Sequence, residues 1–400
     1  MIDAYLNPRR RALDAPPFGR QAMEFHRTLP GYRRTELRRL DPLARELGIG
    51  ELLLKDESSR LGLPSFKVLG ASWAIRKALG ERLGIAGEQP LSFEQLLERV
   101  DALRPLCLAA ATDGNHGRAV ARVASILSLS AQIFVPSGTT AARIEAIEEE
   151  GATVEVVPGG YDEAVARSAA SAGERCVVIS DTSWPGYERV PLWVIEGYST
   201  ILWEIEDQLR DGGVEPPNLV VVQIGVGAFA AAVAGHPLDR TGERTRTVGV
   251  EPEHAACVLE SLRAERIVTL THPQDSIMAG LNCGTPSIVA WPELAARLDA
   301  SIAIGDEHAR EAMRLLAEVG VVAGESGAAG LGGLLDLLTA VKLGRVRASL
   351  GVDPHTRALI FCTEGATDPA AYREIVGGVP EAAPASLAAP TGGGAGHLDR

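Results

Sequence analysis

Short aliphatic and β-branched runs alternate along this chain with longer stretches whose apolar positions recur every three or four residues. The short runs predict strands at Glu51–Lys55, Cys107–Ala111, Gln132–Val135, Thr153–Val157, Cys176–Ser180, Leu219–Ile224, Thr247–Val250 and Ala358–Cys362. Between them, the longer periodicity predicts helices such as Thr140–Glu150, Asp162–Ala172, Pro191–Leu209 and Glu307–Glu318. Strand–helix–strand alternation implies an α/β protein with parallel sheets covered on both faces. In such sheets ligands bind beyond the carboxyl ends of the strands, so the chemistry is to be sought in the turns that follow them. Asp211–Asn218 is a turn-rich joint between a helix and an apolar strand. From about Pro380 the chain is rich in Ala, Pro and Gly and offers nothing to pack, so residues 381–400 are expected to be a disordered tail.

A length of 400 residues suits two domains, and a 46% hydrophobic content supplies a sizeable core. Abundant glycine (43 residues) beside only 4% aromatics fits many tight strand-to-helix turns. The formal charge of −13 argues against nucleic acid as a partner. Arg33, Arg34, Arg38 and Arg39 form a local basic cluster that reads most simply as a solvated helix face. Five cysteines without a CxxC pair argue against a disulfide framework or a structural zinc. The amino-terminal stretch lacks the apolar segment of a secretory signal, and no run of about 18 apolar residues occurs. The expectation is a cytoplasmic protein without a membrane partner.

Three strand-end segments carry candidate chemistry. Pro64-Ser65-Phe66-Lys67-Val68-Leu69-Gly70 places a lysine at the opening of an apolar helix, where desolvation would favour the neutral amine that a Schiff base requires. On Lys67 alone, a solvated surface lysine is the commoner explanation. Thr112-Asp113-Gly114-Asn115-His116-Gly117 follows an apolar strand and opens a helix, a geometry that points backbone N–H groups at an anion. A simple helix cap would use the same residues, and His116 has no spaced partner for a metal. Gln223-Ile224-Gly225-Val226-Gly227-Ala228-Phe229 looks like a phosphate cradle but lacks the spacing and the acidic residue of a dinucleotide site.

Taken together, these segments resemble the fold-type-II pyridoxal-phosphate enzymes, the tryptophan-synthase-β-like class, and within it the 2,3-diaminopropionate ammonia-lyases. The resemblance runs from about Phe25 to Pro369 through FHRTLPGY, LLKDESSRLGLPSFKVLGAS, ATDGNHGRAVA, DTSWPGYERVP, IGVGAFAAAV, SIMAGLNCGTPS, AGESGAAGLGG and CTEGATDP. It implies two three-layer α/β/α domains with pyridoxal 5'-phosphate in the cleft between them. The large domain would take residues 1–75 and 181–380, and the small one 76–180. Lys67 would hold the cofactor and move protons at the substrate Cα. Asn115 would contact the ring hydroxyl oxygen, and Gly225, Val226, Gly227, Ala228 and Phe229 would hold the phosphate. Thr363 would face the pyridine nitrogen, where a hydroxyl does not force protonation as a carboxylate would.

Thr112, Asp113, Gly114 and Asp181 would take a small amino-acid substrate, with Asp113 and Asp181 also catalytic. Threonine dehydratases carry a small apolar residue where this chain has Asp113, and two carboxylates suit a diamino substrate better than a hydroxy one. Asp181 could equally be a turn cap. The implied reaction is elimination of ammonia from 2,3-diaminopropionate through an aminoacrylate, giving pyruvate and ammonia. Alternatives are a lyase, dehydratase or β-replacement enzyme on another β-substituted alanine, and a non-catalytic sensor of the same fold. A homodimer is implied, and no metal is required. Cys257 and Cys283 are candidates for a pair, reduced thiols being the expectation in cytoplasm. The chain departs from the family at Pro64-Ser65, at Thr35-Glu36-Leu37 and at Ala366, which puts the exact substrate in question.

Overall fold

The computed structural model describes residues 3–11, 18–85, 89–112, 114–238 and 244–378. The expected tail at 381–400 and Asp113 lie outside the described residues. Eleven strands are described: β1 (Asp3–Leu6), β2 (Leu37–Arg39), β3 (Glu51–Asp56), β4 (Cys107–Ala111), β5 (Ser130–Pro136), β6 (Thr153–Val157), β7 (Cys176–Val178), β8 (Leu219–Gln223), β9 (Arg246–Pro252), β10 (Ala300–Ile304) and β11 (Arg357–Cys362). They form a seven-stranded sheet in the order β1-β10-β9-β8-β11-β3-β2 and a four-stranded sheet in the order β6-β5-β4-β7. All pairings are parallel except at the two edges of the larger sheet, where β1 runs against β10 and β2 against β3.

Period two explains why the inner strands read as unbroken apolar runs. Leu52 and Leu54 of β3, Val221 of β8 and Ile360 of β11 enter one core, while Leu53, Val220, Val222 and Phe361 enter another. In the smaller sheet, Leu108, Ala110 and Ile133 enter the same core as Leu53, and Ala109, Ala111 and Phe134 face a third. The facing sides of the two sheets thus share one core.

Each predicted strand is present within one or two residues of its expected ends. The three that were not expected are β1, β2 and β10. The first two are short, partly exposed edges that carry too few residues for a pattern. The third, Ala-Ser-Ile-Ala-Ile, is fully buried but holds only two β-branched residues, and Ser301 enters the interior by donating to Glu251 Oε2 at 2.9 Å. The four arginines do not form a helix face: Arg33 and Arg34 lie in a loop, and Arg38 and Arg39 lie on β2, whose antiparallel pairing with β3 imposes extended backbone. All five cysteines are free, so Cys257 and Cys283 are not bonded to each other. No single helix among the described residues is long and apolar enough to cross a membrane. One bent pair passes by composition, and its first member, Glu325–Thr339, packs on the larger sheet.

The helix Lys67–Arg82 is the joint between the sheets, packing on both Arg189–Gly212 and Asn115–Ile126. Its approach to Arg189–Gly212 is closer than side chains allow. A Cβ on Gly197 would lie 2.6 Å from Leu69 O, and one on Gly70 would lie 2.5 Å from the Tyr198 ring. The contact at Leu69 is with backbone and cannot be relieved by a rotamer change. Gly197→Ala should therefore lower stability by about 1–3 kcal/mol. Gly80→Ala, in the same helix as Leu69 and with nothing within 4 Å of the added methyl, should raise it by about 0.4–1 kcal/mol. Urea unfolding of the two variants checks the pair, and equal effects would contradict the close-approach argument.

Candidate active site

A cavity of about 760 Å³ opens between the carboxyl ends of the strands of the two sheets. The ends of β3, β4, β7, β8 and β11 all contribute to its wall. Beyond β3, Ser65 bridges to Glu364 and Pro64 O accepts from Gly365 N at 2.9 Å, so the segment before Lys67 is pinned to the segment after β11. Phe66 packs its ring on Tyr198 at 4.8 Å and on Phe229 at 4.6 Å, which fixes where the helix begins. Lys67 then projects its amine at Asp181, with Nζ to Oδ2 2.8 Å.

Asp181 follows β7 and is buried. His116 approaches the same oxygen at 3.9 Å through Nδ1 while its Nε2 lies 2.7 Å from Ile179 O, and Tyr161 donates to Oδ1 at 3.4 Å. Burial pushes the Asp181 carboxyl up, but the Lys67 ammonium and then His116 outweigh it and hold the group well below the usual carboxylate range. The Lys67 side chain keeps 22% of its exposure and is paired with a carboxylate, because it points out of the helix packing into the cavity.

Beyond β4, Thr112 Oγ1 accepts from Gly114 N at 2.9 Å, and Gly114 takes φ +154° as the turn enters the helix Asn115–Ile126. Asn115 donates to Glu364 Oε2 at 2.5 Å. Beyond β8, the Gly225–Gly227 turn must be glycine at both ends. A Cβ on Gly225 would lie 2.9 Å from Gly280 O, and Gly227, at φ +97°, would put one 2.5 Å from Leu294. The backbone N–H groups that open the helix Ala228–Ala234 have no acceptor within the helix, as at any helix start. Beyond β11, Thr363 Oγ1 accepts from Gln223 Nε2 at 2.9 Å.

Of the residues singled out from sequence, Lys67, Thr112, Asn115, Asp181, Gly225 to Phe229 and Thr363 all line this cavity. Gly114 lines a small adjoining recess with Asn115 and Arg143. Gln223, Glu364, Ser326 and Arg143 also border the cavity and were not expected. Glu364 stood beside Thr363 in the CTEG segment. It is buried and accepts from Ser326 N at 3.2 Å as well as from Asn115. Gln223 carried a weaker signal, a polar residue ending an all-apolar strand.

This donor set suits a phosphorylated aldehyde cofactor: a primary amine for the carbonyl, a glycine turn at a helix start for the phosphate, and a hydroxyl whose proton is not spent on its neighbour for a ring nitrogen. The model of one enzyme family, described as pyridoxal-phosphate dependent enzyme, matches residues 28–349. The chain belongs to that family. Its cofactor is accordingly pyridoxal phosphate, and its fold is that of the fold-type-II members.

Among its relatives in this family, the diaminopropionate ammonia-lyase of Salmonella typhimurium is 35% identical over 90% of this chain and 91% of its own length. The crystal structure of holo diaminopropionate ammonia lyase from Escherichia coli superposes with a TM-score of 0.86 at 36% identity, covering 94% of this chain and 96% of that one. The same Escherichia coli enzyme in complex with an aminoacrylate-PLP azomethine reaction intermediate gives 0.84 at 34% identity, covering 94% and 97%.

The Lys67–Asp181 pair has a testable pH signature. A depressed folded-state value means that the stability contributed by the carboxylate is present above the ordinary Asp value of 3.8 and is lost as pH falls toward the folded value. In the cofactor-free protein, Asp181→Asn should lower the unfolding free energy at pH 7 by about 1–3 kcal/mol. The gap to wild type should narrow below about pH 4. Urea titrations of both proteins from pH 3 to pH 7 check this, and a gap that widens on acidification would contradict it.

Proposed function

We propose that this enzyme eliminates the β-amino group of 2,3-diaminopropionate, consuming one water and releasing pyruvate and two molecules of ammonia. The observation that carries the reading is the ion pair of Lys67 with a buried, ionised Asp181 on the wall of the cofactor cavity. The names of the relatives and their coverage of nearly the whole chain support the same reaction. When bound, pyridoxal phosphate supplies an electron sink for negative charge developing at the substrate Cα.

The chain's own residues then divide the work. Lys67 binds the cofactor and carries the Cα proton. The Gly225–Phe229 turn holds the phosphate, Asn115 orients the ring through its hydroxyl oxygen, and Thr363 meets the ring nitrogen. Asp181 faces an amino group of the substrate, Asp113 is assigned to the second by its place in the family's motif, and Thr112 and Gly114 shape the turn that receives it. A charged second amino group beside Asp181 distinguishes a diamino substrate from serine or threonine by a full ion pair. In this reading residues 1–75 and 181–380 form the large domain and 76–180 the small one, with the helix Lys67–Arg82 shared between them. The enzyme works as a cytoplasmic homodimer.

Two measurements test these assignments. Asp113→Ala should damage turnover of diaminopropionate far more than turnover of serine. Losing a charge-assisted contact in a desolvated site costs about 2–4 kcal/mol, roughly thirty- to a thousandfold in rate. A mere cap would cost about 1 kcal/mol of stability and depress all substrates alike. kcat/KM for both substrates in both proteins separates the outcomes, and equal losses would remove Asp113 from substrate choice. For the assembly, light scattering at micromolar concentration should give twice the 42.2 kDa chain mass. A monomer would refute the dimer.

A further inference from the structure

Gln223 ends β8 and is buried between that strand, β11 and the helix Glu325–Thr339. Its Nε2 lies 3.1 Å from Ser326 O, 3.2 Å from Gly327 O, 3.1 Å from Phe361 O and 2.9 Å from Thr363 Oγ1. Its Oε1 has no hydrogen-bond partner and points at Gly330, where a Cβ would lie 3.1 Å away. The amide cannot be turned over. The reverse orientation would set a carbonyl oxygen against three backbone carbonyls. Toward Thr363, Gln223 is therefore a donor only.

A hydroxyl has one proton. With a donor fixed behind it, Thr363 has one of its two lone pairs occupied by Gln223, its own proton is directed away from Gln223, and it lines the cofactor cavity. We propose that Gln223 is a positioning residue that turns the Thr363 proton toward the cofactor's ring nitrogen, and so favours the unprotonated form of that nitrogen. The inference rests on the placement of Thr363 opposite the nitrogen given above. It adds what a hydroxyl alone does not supply, since a free threonine can rotate and accept from a protonated ring. Three backbone carbonyls thus set the polarity of a bond two groups away from them. An unprotonated ring withdraws electrons less strongly, which favours loss of a β-substituent over transamination.

The test uses the holoenzyme loaded with pyridoxal phosphate labelled with ¹⁵N in the ring, read by NMR across pH. In wild type the nitrogen should be unprotonated at neutral pH. In Gln223→Met, which keeps the length but removes the donor, the midpoint of nitrogen protonation should rise by about one pH unit or more, a tenfold change in the ratio of the two forms. In Gln223→Glu the carboxyl, facing three carbonyls, is held protonated and donates again, so the midpoint should return toward wild type. A merely structural role would lower melting temperature and cofactor affinity in both variants without moving the midpoint. Equal midpoints in all three proteins, or a wild-type nitrogen already protonated at pH 7, would overturn the proposal. Thr363→Val separates the underlying placement. If that change leaves the nitrogen signal unaltered, Thr363 does not face it; if it shifts the signal while Gln223→Met does not, only the role of Gln223 fails.

Discussion

Leu69 O stands 2.6 Å from the point that a Cβ on Gly197 would occupy, and this backbone-to-backbone approach sets the line along which Lys67 enters the cavity. On one side the helix that begins at Lys67 is pressed on Arg189–Gly212, and on the other it packs on Asn115–Ile126, which carries Asn115 and His116. His26, buried and bridging Thr200 Oγ1 at 2.8 Å and Leu69 O at 3.0 Å, ties the amino-terminal segment to the same turn. Burial, with Arg60 nearby, lowers its pKa to about 3, so it serves as a neutral link. A catalytic amine needs its reach fixed to a fraction of an ångström. Here the fixing is done by small residues and backbone contacts rather than by bulk.

The loop between β3 and Lys67 is held by charge. Arg60 donates to Glu57 Oε2 at 2.9 Å and to both oxygens of Glu204, at 2.7 and 2.8 Å, while Lys55 donates to Glu204 at 2.8 Å, to Thr35 O and to Gln208. Tyr32 donates to Glu204 at 2.6 Å. Two cations face two carboxylates with almost no exposure, so the cluster is neutral as a whole. Replacing such a group by apolar residues often costs little, but removing one member costs about 3–5 kcal/mol because its partners stay buried and unpaired. Its value is geometric. It accepts one arrangement of β3, the helix Arg189–Gly212 and residues 57–66, and that arrangement sets Phe66 and Lys67.

The parallel strands were legible because their two-sided burial leaves an unbroken apolar run, and the site segments because glycine, proline and polar residues crowd the strand ends. β10 was not, since alanine and serine in a buried strand carry no periodicity that distinguishes it from helix. The basic cluster misled for the converse reason: arginines spaced for a helix face also suit an edge strand, and only pairing with β3 decides. At the site, Lys67, Asn115, Asp181, Thr363 and the glycine turn were legible through the resemblance of their segments to a family rather than by residue type alone. The pairing of Lys67 with Asp181, and of Asn115 with Glu364, was not legible. Asp181 lies 114 positions from Lys67 and Glu364 lies 249 from Asn115, distances that only the crossing of two sheets closes. Gln223 is silent for another reason, because its meaning lies in three carbonyls contributed by backbone.

In the proposed reading, the charge on Asp181 would set the preference for a diamino substrate. In the free protein its buried carboxylate is satisfied by the Lys67 ammonium. On the reading proposed above, Lys67 would exchange its free ammonium for a bond to the cofactor, and His116 and Tyr161 would remain beside the carboxylate. A buried carboxylate in that position either takes up a proton or recruits a positive group. A substrate with a second ammonium supplies one, and does so at the carbon from which ammonia is to leave. A hydroxyl offers a single hydrogen bond and no charge, so serine would leave most of the desolvation cost unrecovered. In the proposed reading, the place that Lys67 gives up at Asp181 is where a diamino substrate would be told from a hydroxy one.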